Sequence, residues 1–188
     1  MGQLPTKLRE KPFTLSQAIA AGVSRYVLSK LISEGSVEQL SRGIYRVTAS
    51  DLSEEEQYCA ATLRVGTPSA ICLVSALSHY GLTDTIPRKT WIMVEHTKRT
   101  TYPELKLLRA RTPEWNIGIE RQNGYSITSL ERTIVDCLIY RTKIGAQIGI
   151  EALRQAVNSK KTTLGRVLDM AVRLGVDHRI RSYVEALS

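Results

Sequence analysis

Apolar residues recur at helical spacing twice near the N-terminus and then alternate in two short runs, which predicts helix, helix and hairpin. Leu15, Ala18 and Ile19 fall on one face of a short helix. Thr14, followed three residues later by Gln17, has the form of a capping box at its start. Val27, Leu28, Leu31 and Ile32 share a face of a second helix, with Ser24 as its cap and Gly35 at its end. Ala18 is small where the helices must cross closely, and Gly22 supplies the left-handed backbone a tight turn needs. Residues 37–40 and 44–47 read as strands joined by Ser41-Arg42-Gly43, a three-residue turn with Gly where φ turns positive. Helix, turn, helix and basic-tipped hairpin is the order of a winged helix-turn-helix, which lays its second helix in a DNA major groove.

With its apolar face inward, the second helix presents Arg25, Tyr26, Ser29, Lys30 and Ser33 outward. Arg25 near the helix start is suited to a guanine edge or a phosphate, Ser29 to either, and Lys30 to a phosphate. Ser24 and the free amides of the first turn suit a phosphate oxygen. Arg42 at the hairpin tip and Arg46 behind it complete the expected DNA-contacting set. The competing reading is that these charges merely solvate a protein-binding module.

Beyond a polar hinge, Ala49-Ser50-Asp51-Leu52, the periods change again. Helices are expected over 53–64, where Ser53 and Glu56 form a capping box, and over 69–80, after Gly66-Thr67-Pro68. Strands are expected over 91–95, 105–108, 117–121 and 125–128, the last two flanking Asn123-Gly124, a strong hairpin signal. Thr128 with Glu131 reads as a third capping box, opening helices over 129–140, 144–158, 163–174 and 177–187. The whole reads as an α+β protein. A winged helix-turn-helix over 1–50 precedes a mixed α/β C-terminal domain over 51–188 that ends in a helical bundle.

Charge sharpens this picture. The 188-residue chain carries a net charge of +8. Residues 1–50 hold seven Lys/Arg against three acids, while residues 51–188 hold nineteen against fifteen, so the basic excess is concentrated at the N-terminus. Lys98 and Arg99, with Thr100 and Thr101, form a basic loop. With Arg141, Lys143, Lys160 and Lys161 they are candidates for a second basic surface. Cys59, Cys72 and Cys137 are isolated in apolar patterns and read as buried thiols of a cytoplasmic protein. The three histidines have no metal-ligand spacing, so neither metal nor cofactor is expected. The polar start MGQLPTKLREK lacks an apolar signal region, and no apolar run is long enough to span a membrane. Trp91 and Trp115 read as packing residues.

Three stretches together resemble the AbiEi family of bacterial antitoxins. The first is Leu40-Ser41-Arg42-Gly43-Ile44-Tyr45-Arg46. The second is the run from Leu73 through His79-Tyr80-Gly81-Leu82 and Ile86-Pro87 to Trp91-Ile92. The third is Ser129-Leu130-Glu131-Arg132-Thr133-Ile134-Val135-Asp136-Cys137 with Tyr140–Gly145 and Glu151-Ala152-Leu153. The resemblance implies a winged helix that binds inverted repeats in double-stranded DNA of its own promoter and represses the operon. It also implies a C-terminal domain that counters a nucleotidyltransferase-like toxin of a type IV (AbiE, abortive infection) system, without requiring a stable complex. Glu131, Arg132 and Asp136 then read as structural, with Glu131 a helix-start residue and Arg132 pairing with Asp136 or holding the preceding hairpin.

Two alternatives belong to other classes. Asp84 with Glu104-Leu105-Lys106 has the acid-x-Lys form of metal-dependent nucleases, though without a second acidic cluster at compatible spacing. A stand-alone repressor whose C-terminal domain senses a small molecule would instead need a concave apolar pocket with a few convergent polar groups. No nucleophile-elbow, Walker or dinucleotide motif occurs, and the chain is expected not to be an enzyme.

Overall fold

The computed structural model describes residues 4–48, 51–85, 87–99, 101–110 and 115–185, and divides into compact units Met1–Thr67 and Pro68–Ser188. Ala49 and Ser50 of the expected hinge, Ile86, Thr100, and residues 186 and 187 of the last expected helix lie outside the described residues.

The first unit opens with a 3-10 turn, Thr6–Leu8, and a short strand β1, Phe13–Thr14. Helices α1 (Leu15–Ala20) and α2 (Arg25–Ser33), strands β2 (Val37–Ser41) and β3 (Ile44–Val47), and helix α3 (Glu54–Val65) follow. The capping box of α1 forms as expected. The Thr14 hydroxyl accepts from the Gln17 amide at 3.2 Å, and the Thr14 amide donates to Gln17 Oε1 at 2.7 Å. Gly22, at φ +83°, turns the chain so that the Val23 amide donates back to the Ala18 carbonyl at 2.9 Å. Leu8, Phe13, Ala18, Val23, Leu28 and Val37 form the core beneath.

That core is narrower than the apolar pattern suggests. Ile19 and Val27 face solvent, while Leu31 and Ile32 are only half-buried beside Leu28. Successive helical residues are turned by about 100°, so Val27 falls off the edge of the stripe that Leu28, Leu31 and Ile32 share. The hairpin differs in detail too. Ser41 pairs with Ile44, leaving Arg42-Gly43 as a two-residue turn, with a bulge between Gln39 and Ser41.

β1 pairs with β3 and β3 with β2, all antiparallel. So small a sheet needs cover, and α3 packs on all three strands with Tyr58, Cys59, Ala61, Thr62 and Val65 buried. Its start is the expected box, with the Ser53 hydroxyl accepting from the Glu56 amide at 3.2 Å. The compact unit therefore runs to Thr67, past the polar hinge near residue 50 expected to divide the chain.

The second unit has a five-stranded sheet of order β6-β5-β4-β8-β7. The strands are β4 (Ser69–Ile71), β5 (Thr90–Val94), β6 (Leu105–Arg109), β7 (Ile119–Arg121) and β8 (Ser126–Thr128). The pairs β4–β8 and β5–β6 are parallel, and β4–β5 and β7–β8 antiparallel. The Asn123-Gly124 hairpin forms, with Arg121 opposite Ser126. The expected helix over 69–80 is instead β4 followed by α4 (Leu73–His79). Three wholly buried residues between two partner strands carry no period that distinguishes strand from helix.

Helices α5 (Leu130–Ile139), α6 (Arg141–Ile144), α7 (Ala146–Asn158), α8 (Leu164–Arg173) and α9 (Asp177–Glu185) complete the unit. The cap of α5 is Ser129, whose hydroxyl accepts from the Arg132 amide at 3.3 Å. Thr128, expected in that role, instead shares a hydrogen bond of 2.7 Å with the Thr133 hydroxyl. Gly145, at φ +102°, separates α6, which occupies the break expected after residue 140, from α7, which starts two residues later than the helix expected over 144–158. Residues Glu131 to Leu138 are all buried because α4, α7, α8 and α9 pack around α5. A Cβ on Gly149 of α7 would lie 3.0 Å from backbone atoms of Cys137 and Leu138, so any larger residue requires the α5 backbone to give by a few tenths of an ångström.

Candidate nucleic-acid interface

The first unit places the expected residues of α2 on one exposed surface. The Ser24 hydroxyl accepts from the Val27 amide at 3.2 Å and fixes the helix start. Ser24, Arg25, Tyr26, Ser29, Lys30 and Ser33 are all exposed, Tyr26 at 79% of its surface. No acidic residue stands in the first turn, so the positive end of the helix dipole is uncompensated by its own side chains. Lys30 lies 3.8 Å from Glu34, and both are so exposed that the pair is weak. Among the described residues, neither Arg25 nor Arg42 is paired with a carboxylate.

Arg42 stands exposed at the hairpin tip, and its carbonyl accepts from Arg64 Nη1 of α3 at 3.4 Å. Gly43, at φ +78°, allows the tight reversal that leaves the Arg42 side chain outside. Exposed cations on α2 and at the hairpin tip, with an aromatic ring between two of the polar positions, suit a phosphate-lined groove.

Arg46 does not belong to this surface. It is 5% exposed, with Nε 2.5 Å from Glu38 Oε1 on β2 and Nη1 3.1 Å from Glu56 Oε2 on α3. Burial pulls its pKa down, but the hydrogen bonds and charges of Glu38 and Glu56 outweigh that and raise it. Burial likewise raises the Glu56 pKa, and the Ser53 hydrogen bonds and Arg46 more than reverse it, leaving it lowered. The expected DNA contact is thus a structural bolt between hairpin and helix. Alternation hides this, since an Arg on a strand of four residues is equally compatible with either face.

In the second unit the candidate basic residues have different partners. Lys98 is half-buried and its carbonyl accepts from Arg109 Nε at 2.8 Å, while Arg99 is exposed. Arg141 hydrogen-bonds the Tyr183 hydroxyl and stacks on that ring, 5.7 Å from its centre. Lys161 Nζ donates to the Tyr80 carbonyl at 2.5 Å. Lys143 instead borders a cavity with Arg88, Lys89 and Lys106, a grouping that no sequence spacing signals because three separate segments supply it.

Arg132 both pairs with Asp136, at 2.8 Å, and holds the preceding segment, donating to the Ile117 carbonyl at 2.6 Å. Desolvation pushes the Asp136 carboxyl up to about 6, against the pull of Arg132. Glu131 does more than start a helix. It accepts from Thr162 at 2.7 Å and pairs with Arg166 at 2.9 Å, tying α5 to α8. Cys59, Cys72 and Cys137 are buried and form no disulfide among the described residues, and burial raises all three thiol pKa values. Of the nuclease-type residues, Asp84 lies in the loop after α4 and Glu104 just before β6, while Lys106 sits 4.9 Å over the Trp91 ring. Among the described residues no helix is long and apolar enough to cross a membrane.

Comparison with known proteins adds two findings. Residues 3–48 match the family model described as "Transcriptional regulator, AbiEi antitoxin". The crystal structure of the RV2827C protein from Mycobacterium tuberculosis is similar over 94% of this chain and 71% of that one. The TM-score there is 0.63 at 15% identity, a likeness of fold. No curated protein matches the chain in sequence.

Proposed function

We propose that this chain, whose N-terminal segment is of the AbiEi antitoxin regulator type, is a DNA-binding repressor of its own operon. The supporting observation is the exposed face of α2, where Ser24, Arg25, Tyr26, Ser29 and Lys30 stand together beside a hairpin tipped by Arg42. In this reading the unit is a winged helix. Helix α2 lies in the major groove, with Arg25 on a guanine edge or phosphate and Lys30 on the backbone. Arg42 reaches the neighbouring minor groove or its phosphates. Two copies bind an inverted repeat, since one module of this size buries too little surface for tight binding alone.

The second unit, in the same reading, counters a nucleotidyltransferase-like toxin, in the cytoplasm and without a required stable complex. The protein acts by binding and not by catalysis. Footprinting on the upstream promoter tests the repressor reading: two protected half-sites on one face of the duplex are expected. Uniform protection of unrelated DNA with equal affinity would refute it. Co-expression with the toxin tests the second part, growth rescue being expected even when the α2 surface is neutralised.

A further inference from the structure

The second unit contains a cavity of about 360 Å³ that shares no lining residue with the set assigned to DNA. Trp91 of β5, Ile144 of α6 and Ile148 of α7 supply apolar walls, with Val74 of α4 behind them. Arg88, Lys89, Lys106 and Lys143 stand around it, and all four are exposed. Among the described residues the lining includes no Asp or Glu. Among the described residues none of these four cations is paired with a carboxylate. Lys106 faces Trp91 across the parallel β5–β6 pair, its ammonium 4.9 Å over the ring centre, which fixes one cation above the apolar wall.

Four like charges converging on one hollow repel each other, and a bound anion relieves that repulsion. Apolar walls do the opposite for a bare ion, because a fully hydrated anion gains nothing from Trp91, Ile144 and Ile148. A volume at the low end of the range for small-molecule pockets, with mostly apolar walls and a few convergent polar groups, suits one compact ligand. We infer that this cavity binds a small amphipathic anion. Its carboxylate or phosphate head sits among Arg88, Lys89, Lys106 and Lys143, and its aromatic or aliphatic body lies against Trp91 and Ile148. A DNA backbone would use the four charges and leave the concave apolar walls without a partner. The site stands or falls independently of DNA binding by the first unit.

Titration of the full chain with the fluorescent aromatic sulfonate 8-anilinonaphthalene-1-sulfonate tests this. One saturable site per chain is expected. The double substitution Lys106→Gln, Lys143→Gln should weaken it at least about tenfold, consistent with removal of two charge-assisted hydrogen bonds. Ile148→Trp, which fills the cavity, should remove it. Octanoate and octyl phosphate should displace the probe, their order identifying the preferred head group, whereas inorganic phosphate at equal concentration should not. Circular dichroism establishes that each variant is folded. Should Ile148→Trp fail to fold, the exposed pair Arg88→Gln, Lys89→Gln tests the same site, and weaker probe binding is expected there too. Absence of a saturable site, or unchanged affinity in every folded variant, overturns the inference. Displacement by duplex DNA at lower concentration than by either octyl anion overturns it as well and assigns the surface to nucleic acid.

Discussion

Replacing Arg46 by Met separates holding the fold from touching DNA. Arg46 is 5% exposed and sits between Glu38, 43% exposed, and Glu56, 22% exposed. Methionine fills most of the arginine stem's volume, so the change removes mainly the two charge-assisted hydrogen bonds. Removing one partner of a wholly buried ion pair costs about 3–5 kcal/mol. Here both carboxylates retain access to water, and Glu56 keeps its Ser53 partners, so the cost falls to about 1–3 kcal/mol. That corresponds to about a 5- to 150-fold rise in the opening constant of the hairpin. Amide hydrogen exchange of β2, β3 and α3 reads it directly. At a temperature where the variant remains folded, its promoter affinity should keep the wild-type salt dependence. Arg42→Ala should do the reverse, leaving exchange unchanged and lowering the salt slope by about 0.9, the amount one neutralised phosphate contributes. If Arg46→Met left exchange protection intact and lowered the salt slope, Arg46 would be a DNA contact and the bolt assignment would be wrong.

Three further outcomes follow from the packing. A fragment of residues 1–67 should fold cooperatively in circular dichroism melts, whereas 1–50, deprived of α3 over all three strands, should not; equal melting of the two would refute the boundary. Gly149→Ala should destabilise the second unit by about 1–3 kcal/mol in denaturant unfolding, although alanine is ordinarily the better helix former, because its Cβ meets the α5 backbone. Asp136 has a raised native pKa, so the stability it contributes is present below its unfolded value near 3.8 and lost as the pH rises through about 6. Wild type should therefore exceed Asp136→Asn most below about pH 4 and by less at neutral pH, and a constant difference would contradict the shift.

The local signals of the first unit were legible because they rest on short-range physics. Thr14–Gln17, Gly22, Ser24 and Gly43 each satisfy a cap or a positive φ that neighbouring residues already specify. The exposed face of α2 was legible for the same reason, since it follows from Leu28 pointing inward. What escaped were tertiary choices. Nothing within residues 44–47 says that Arg46 meets carboxylates from β2 and α3, eight and ten positions away. Ser53-Glu56 announces a helix start without saying which unit the helix covers. Ser69–Ile71 shows how a central strand shorter than one helical turn of pattern is lost inside an apolar run. The four cations of the cavity come from three segments, so only the fold brings them together.

In the proposed function α2 and the hairpin tip bind the promoter. Fluorescence anisotropy with the protein's own upstream promoter duplex, across a salt series, tests it on the combined variant Arg25→Ala, Lys30→Ala, Arg42→Ala. All three side chains are exposed, so the variant should keep the wild-type fold. Removing one base or phosphate partner and two phosphate partners should lower affinity by at least about 100-fold and reduce the salt slope by about two to three. Promoter affinity and salt slope equal to wild type in the folded variant would show that DNA, if bound at all, meets another surface.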